Sequence, residues 1–222
     1  MALSKKGKSF LGLFLVFTPA CLLIFFATRG ANHKFERLAS YGKLKPFEFT
    51  DVKGNKRSSD EFKGDILLVT TLQNSCPNDC ALLLYHLDKI LYQEIKKNSK
   101  KLMKRVRLLS IVTDKQGVPE KDLTLIQEKL KNTVINYDPA LWILATANPQ
   151  EVFNFKSNGL SLLEKNPKFY GGVAFQEVIL LLDKNHELRM VLNGKLEGYI
   201  RRMKESLALL QKEYDQQRAL SH

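Results

Sequence analysis

The stretch DILLVTTLQNSCPNDCALLLYHL, residues 65–87, carries the pattern that decides the fold class. Residues 65–72 form a compact apolar run of the kind that makes a buried central strand. Cys76 and Cys80 follow in a polar loop, and the leucines after them recur at helical spacing, which predicts a long amphipathic helix. The stretch therefore predicts an α/β fold in which two thiols lie between a buried strand and a helix.

The later elements extend this pattern along the chain. Residues 106–114 predict a second buried strand. Pro119 and the Asn-Pro pair at 148–149 each predict the start of a helix, since proline suits a first helical turn. Residues 177–192 predict two strands around a turn that begins at Asp183, and a final helix follows. This order predicts a thioredoxin-like fold, with a central mixed sheet flanked by helices.

An apolar segment without charged residues spans residues 10–28. It is close to the ~20 residues that cross a bilayer core as a helix, and longer than the ~7–15-residue core of a cleaved signal. We therefore predict an uncleaved N-terminal transmembrane helix, with a basic N-terminus at 1–9, a polar tether at 29–44 and the folded domain at 45–222. Cys21, within the apolar segment, is expected to be an inert small hydrophobe.

The formal net charge of +12 comes mostly from lysines scattered over the chain. The basic residues are not interleaved with aromatic ones and no nucleic-acid recognition motif is present, so no nucleic-acid partner is expected. Scattered lysines are typical of a solvated surface, and a basic face held close to a membrane would also attract anionic lipid.

Cys76 and Cys80 could form a redox couple, a metal clamp or a structural staple, or they could be chance neighbours in a core. Cys80 lies at the predicted start of the long helix, where the positive end of the helix dipole stabilises a thiolate, while Asp79 beside it opposes this effect. The polar neighbours Asn74 and Asn78 indicate an exposed loop, and a staple across so short a ring removes little chain entropy. The pattern therefore favours redox or metal chemistry.

The chain resembles the Sco/SenC family over most of residues 45–210. The resemblance rests on CPNDC at 76–80 after a buried strand, on SIVTD at 110–114, and on Trp142 in DPALWILATANPQEV. Members of this family are membrane-tethered, thioredoxin-like proteins that handle copper for cytochrome oxidase or act in thiol redox chemistry.

The resemblance implies specific roles and partners for this chain. Cys76 and Cys80 would be the redox-active thiols and the ligands of Cu(I), and the partner would be a cytochrome oxidase subunit or another thiol protein. The implied location is a single-pass membrane protein with its domain on the extracytoplasmic, periplasmic side. Two alternatives stay open: a metal-free thiol–disulfide oxidoreductase, and a protein-binding descendant whose dithiol is structural.

One position departs from the pattern that the resemblance implies. The family has a histidine a few residues upstream of the turn that begins here at Asp183, and the matching position in this chain is Phe175. A phenyl ring has no lone pair to offer a metal, so any Cu(I) would rely on Cys76 and Cys80 alone.

The other soft or imidazole ligands are not expected to replace this histidine. His86 lies about 240° around the predicted helix from Cys80 and should face elsewhere. His186 is expected to be solvated in a turn, and Met190 to fill core on the last strand. The capacity for copper therefore depends on the two thiolates.

Overall fold

The computed structural model describes most of the chain, in two compact units, Met1–Glu36 and Arg37–His222. The described residues are 14, 17–25, 38–74, 80–100, 105–157, 159–164 and 173–220.

The predicted membrane location is contradicted. Among the described residues, no helix is both long and apolar enough to cross a bilayer. Of the predicted span 10–28, the structure describes Phe14 and the helical residues 17–25. Cys21, within this helix, is a free and exposed thiol, and the predicted basic N-terminus at 1–9 lies outside the described residues.

The second unit is built around a mixed sheet that has seven strands in the part of the chain that the structure describes. The strand order is β2-β1-β5-β4-β3-β8-β9, and β6 and β7 form a separate small hairpin. The strands are β1 (Glu48–Asp51), β2 (Lys56–Ser58), β3 (Ile66–Gln73), β4 (Val106–Thr113), β5 (Trp142–Ala147), β6 (Lys156–Ser157), β7 (Leu160–Ser161), β8 (Val178–Leu182) and β9 (Leu188–Asn193).

Strands β3, β4 and β5 are parallel, and the strands outside them pair antiparallel. The predicted strands at 65–72 and 106–114 are confirmed as β3 and β4, and the predicted final hairpin as β8 and β9. Strand β5 was missed by the sequence analysis. It is a run of six residues between two helical segments, and its length alone does not separate a buried strand from part of a helix.

Helices cover the sheet and connect its strands. The long helix after the cysteines is interrupted by a π-helical segment, and two short 3-10 helices precede β3 and β8. The helices are α1 (Cys80–His86), the π-helical segment (Leu87–Tyr92), α2 (Gln93–Asn98), α3 (Thr124–Thr133), α4 (Pro149–Val152) and α5 (Glu197–Leu220), with 3-10 helices at Ser59–Phe62 and Ala174–Glu177.

The sheet separates two hydrophobic clusters. Alternate residues of β3 face opposite sides, as strand geometry requires: Leu68 packs in the cluster with the long helices, and Leu67 in a cluster rich in phenylalanine. Trp142 is fully buried in the first cluster, where its Nε1–H donates to Ser110 Oγ at 2.9 Å. The α/β fold with a central mixed sheet flanked by helices is therefore confirmed.

The helix predicted to start at Pro119 begins later. Pro119 instead forms an isolated bridge with Thr113, and the Glu120 N–H donates to the Val112 carbonyl at 3.0 Å. The chain thus runs extended beside the end of β4 before α3 begins at Thr124. Proline tolerates both conformations, so its presence did not distinguish them.

Candidate dithiol site

The dithiol loop leaves the sheet at the carboxyl end of β3. Gln73 lies opposite Thr113 in the parallel register, and the Asn74 N–H donates to the Thr113 carbonyl at 3.0 Å. Cys76 lies outside the described residues, which resume at Cys80, the first residue of α1. The ends of β3 and β4 therefore form the base from which the loop departs.

The 3-10 helix that carries Phe175 packs against this base. Thr71 Oγ1 donates to the Phe175 carbonyl at 3.4 Å. The next residue, Gln176, is almost fully buried, and its Nε2 donates to the Asp114 carbonyl at 2.9 Å and to Thr113 Oγ1 at 3.4 Å. Phe175 and Gln176 thus lie at the end of the sheet from which the dithiol loop departs. No signal in the sequence indicated Gln176, because its partners are distant along the chain.

A buried carboxylate holds the other end of the same 3-10 helix. Glu177 accepts a hydrogen bond from Asn193 Nδ2 at 3.0 Å and lies 3.7 Å from Lys195 Nζ. The Gly194 N–H also donates to the Glu177 carbonyl. The helix is therefore anchored to β4 on one side and to the turn after β9 on the other, which fixes the backbone at Phe175.

The Phe175 ring is buried and packs against another aromatic ring. It stacks on Phe153, with ring centroids 5.2 Å apart and planes 20° apart. Gly117 approaches the ring edge so closely that a Cβ at this position would lie 2.8 Å from Phe175 Cζ, and its φ is +83°. A glycine is needed there both for space and for backbone conformation.

Asp114 organises the turn that brings Gly117 to the ring. Asp114 Oδ1 accepts from the N–H groups of Gln116 and Val118, both at 2.8 Å. The Gly117 N–H donates to the Asp114 carbonyl at 3.1 Å. The Asp114 carboxylate is therefore engaged within its own turn.

The histidines of the domain have other contacts. His86 is buried and its imidazole donates from Nδ1 to the Gly194 carbonyl at 3.1 Å. His186 is also buried, so the prediction of a solvated ring is wrong. Met190 packs against the core as predicted, and its Sδ lies 3.3 Å from Ser206 Oγ.

Among the residues that the structure describes, Phe175 and Gln176 supply no third ligand for Cu(I) at this end of the sheet. Within the described ranges, no three His, Cys, Asp or Glu side chains come together as metal ligands. The position next to the loop base holds the hydrocarbon ring of Phe175, and Gln176 offers only an amide, whereas Cu(I) prefers sulfur and imidazole.

The parallel core, the helices on the sheet and the position of Cys80 as the first residue of the helix after β3 are those of a thioredoxin-like domain. The chain belongs to the SCO1/SenC family, whose model matches residues 39–210. A search of curated proteins returned no match.

Solved structures of this family share the fold. BsSco, a member of the Sco family of cytochrome c oxidase assembly proteins in which a disulfide switch was identified, is 14% identical, with a TM-score of 0.53 and coverage of 78% of this chain and 98% of that one. Copper-bound ScoI from Arabidopsis thaliana is 16% identical, with a TM-score of 0.52 and coverage of 77% and 99%.

A SCO1/SenC family lipoprotein from Bacillus anthracis str. Ames is 18% identical, with a TM-score of 0.51 and coverage of 75% of this chain and 95% of that one. At these identities the likeness concerns the fold alone.

Proposed function

We propose that this protein acts in cytochrome c oxidase assembly through a thiol–disulfide couple formed by Cys76 and Cys80. The observation that supports the proposal is that the segment with Cys76 in the sequence joins the carboxyl end of β3 to Cys80 at the start of α1, with Phe175 at the position where the family resemblance implies an imidazole. Membership of the SCO1/SenC family supports the assembly role, and the disulfide switch of BsSco supports the chemistry. The folded domain at 45–222 and the tether at 29–44 remain predictions.

The proposed reaction is exchange with a disulfide of a partner protein, either a cytochrome oxidase subunit or another thiol protein. A thiolate of the pair attacks one sulfur of the partner disulfide, a mixed disulfide forms, and the other partner sulfur leaves as a thiolate. The second cysteine then displaces the remaining partner sulfur and closes the Cys76–Cys80 bond. The partner gains two electrons and this chain loses two.

A second candidate is the delivery of Cu(I) as cargo held by the two thiolates. Copper-bound ScoI from Arabidopsis thaliana favours it as a property of a relative. With Phe175 at this position, Cu(I) should bind more weakly than in a site that also has an imidazole, because the two thiolates give it fewer ligands.

A trapping experiment tests the redox proposal. The reduced parent, Cys76→Ser and Cys80→Ser are each mixed with a peptide that contains one accessible disulfide, and the products are separated without reductant. The parent should reduce the peptide, while one of the two variants should accumulate a mixed disulfide because the resolving thiol is missing. Absence of both products would overturn the exchange mechanism. Anaerobic Cu(I) titration of the same three proteins measures the second candidate separately.

A further inference from the structure

Strand β9 forms one edge of the sheet, and only part of this edge has another chain segment beside it among the described residues. The segment before β1 covers the start of the strand. The Tyr41 N–H donates to the Leu188 carbonyl and the Leu188 N–H to the Gly42 carbonyl, both at 2.8 Å. In the described part of the chain, no main-chain hydrogen bond joins this segment to a later residue of β9. The edge is therefore open beyond Leu188.

The register between β8 and β9 shows which main-chain groups point outward at this edge. Val178 lies opposite Asn193, and the Gly194 N–H donates to the Glu177 carbonyl at 2.6 Å. This bond flanks the pair of Val178 and Asn193, which identifies it as a pair that exchanges no hydrogen bonds of its own. Such pairs alternate along an antiparallel ladder, so the N–H and C=O groups of Asn193 and Val191 point away from β8. Within the described residues, these outward groups have no main-chain partner.

A groove of about 220 Å³ runs along the same edge. Strand β9 lines it with the apolar residues Leu188, Met190, Val191 and Leu192, and Tyr41 borders it beside Leu188. The side chains of Met190 and Leu192 pack against the cluster with the long helices, and that of Val191 packs against the phenylalanine-rich cluster. Outward main-chain groups between apolar side chains are the arrangement by which a sheet edge accepts an extended peptide as an additional strand.

Two basic residues border the groove from opposite faces of the sheet. Arg202 belongs to α5, whose Met203 packs in the cluster with the long helices, whereas Lys156 follows Phe155, which packs against the phenylalanine-rich cluster. Both basic residues are exposed, and neither has an ion pair with a described residue. Successive side chains of a strand point to opposite faces. Two adjacent acidic residues of an added strand would therefore meet one basic residue each.

We propose that the open edge of β9 binds an extended segment of another protein that carries two adjacent acidic residues. The segment adds a strand by exchanging main-chain hydrogen bonds with Val191 and Asn193, and its carboxylates approach Lys156 and Arg202. A second copy of this chain fits less well, because it would bring its own basic residues to the same edge. Residues 29–37 of this chain also fit less well, since they include three basic residues and one acidic residue.

Fluorescence anisotropy of a labelled, capped Thr-Val-Glu-Glu-Val-Thr peptide, titrated with the full-length protein at low ionic strength, tests the proposal. We expect saturable binding of one peptide per chain. The peptide with glutamine in place of glutamate should bind severalfold more weakly, and the peptide with lysine should not bind. Every second amide nitrogen is then methylated, in either of the two frames. One of these two peptides should bind about tenfold more weakly or worse, because only one set of amides faces β9.

Matched variants separate the edge of β9 from general attraction to a basic protein. Lys156→Glu/Arg202→Glu should reverse the preference, so that the lysine peptide binds and the glutamate peptide does not. Lys129→Glu/Lys131→Glu makes the same change of charge on the exposed side of α3 and should leave the preference unchanged. Val191→Pro removes an N–H that points away from β8, so it should weaken peptide binding while the ladder between β8 and β9 keeps its hydrogen bonds.

Hydrogen exchange locates the bound peptide. The amide of Val191 should exchange more slowly when the glutamate peptide is present, because its N–H then has an acceptor. Cys80→Ser should bind the peptide like the parent, so failure of this proposal and failure of the redox proposal are distinguishable. Four results would each overturn the proposal: no saturable binding, equal affinity of the two methylated peptides, equal effects of the two charge-reversed variants, or a dimer of this chain that dissociates as the peptide binds.

Discussion

The ring of Phe175 stacks on the ring of Phe153, with centroids 5.2 Å apart, at the end of the sheet from which the dithiol loop departs. Both rings belong to the phenylalanine-rich cluster beneath the sheet. The position that the family resemblance assigns to a metal-binding imidazole is therefore part of a hydrophobic core. This relationship connects the packing of the domain to the chemistry proposed for its cysteines.

Phe175→His should strengthen Cu(I) binding. The substitution places an imidazole on a backbone held by Thr71, Gln176 and Glu177, so the new ligand is positioned by existing contacts. We expect a gain of about tenfold or more, equivalent to roughly 1.4 kcal/mol, measured by competition against a chromogenic Cu(I) chelator.

Two controls accompany that measurement. Phe175→Leu removes the ring without adding a ligand and should leave Cu(I) affinity at the parental level. Phe175→His/Cys80→Ser should lose the gain, because the site then has one thiolate. If Phe175→His binds copper no better than the parent while both depend on Cys80, the assignment of this position is wrong.

Gly117→Ala should destabilise the domain more than Gly54→Ala. Both glycines have nearly the same φ, +83° and +82°, but a Cβ at position 117 would lie 2.8 Å from Phe175 Cζ, whereas nothing lies within 4 Å of a Cβ at position 54. Backbone strain is common to both variants, so their difference isolates the clash. We expect about 1–3 kcal/mol of additional loss in urea unfolding, the range for overpacking. Equal losses of unfolding free energy in the two variants would show that the Phe175 ring moves away from the added methyl group at no cost in stability.

Ser110→Ala should cost about 1–3 kcal/mol of unfolding free energy, because it leaves the Trp142 indole N–H buried without its partner. Trp142→Phe removes the donor instead. The double variant should be more stable than the sum of the two single losses predicts, since neither group is then left unpaired. Strictly additive losses would mean that the indole N–H finds another acceptor.

Asp138 should stabilise the fold at neutral pH and lose this contribution in acid. Burial alone would raise the pKa of Asp138, but hydrogen bonds from Lys96 and the Ala140 N–H, with the positive charges of Lys96 and Arg107, hold it below the ordinary 3.8. A carboxyl whose pKa is lower in the folded than in the unfolded protein stabilises the fold. Its full contribution is present when the pH is above the pKa of the unfolded protein, and it is lost as the pH falls through the pKa of the folded protein.

The stability difference between the parent and Asp138→Asn should accordingly shrink as the pH falls from 7 to below 4. Urea unfolding at several pH values measures it. Glu128→Gln removes one negative charge from an exposed position on α3 and controls for the change in net charge. A difference that stays constant across this range would contradict the assigned ion pair.

The sequence predicted the elements whose signal is local. The apolar runs of β3 and β4 and the spacing of leucines after Cys80 sufficed for the central part of the fold. Features made by distant contacts were not predictable. Gln176 bonds to residues 62 and 63 positions away, and the role of Gly117 depends on the ring of Phe175. His186 was predicted to be solvated because turns usually lie at the surface, yet the strand-like segment at Leu44 covers it.

Redox titration of the native protein tests directly whether Cys76 and Cys80 form a thiol–disulfide couple. Samples are equilibrated anaerobically over a series of glutathione ratios, alkylated without denaturant and analysed by mass spectrometry, with Cys80→Ser as control. We predict one two-electron transition, in which Cys76 and Cys80 gain or lose alkylation together, at a potential within about −300 to −180 mV. The transition should be absent from Cys80→Ser. Cysteines that react only after denaturation, or a disulfide that persists under the most reducing ratio, would contradict it.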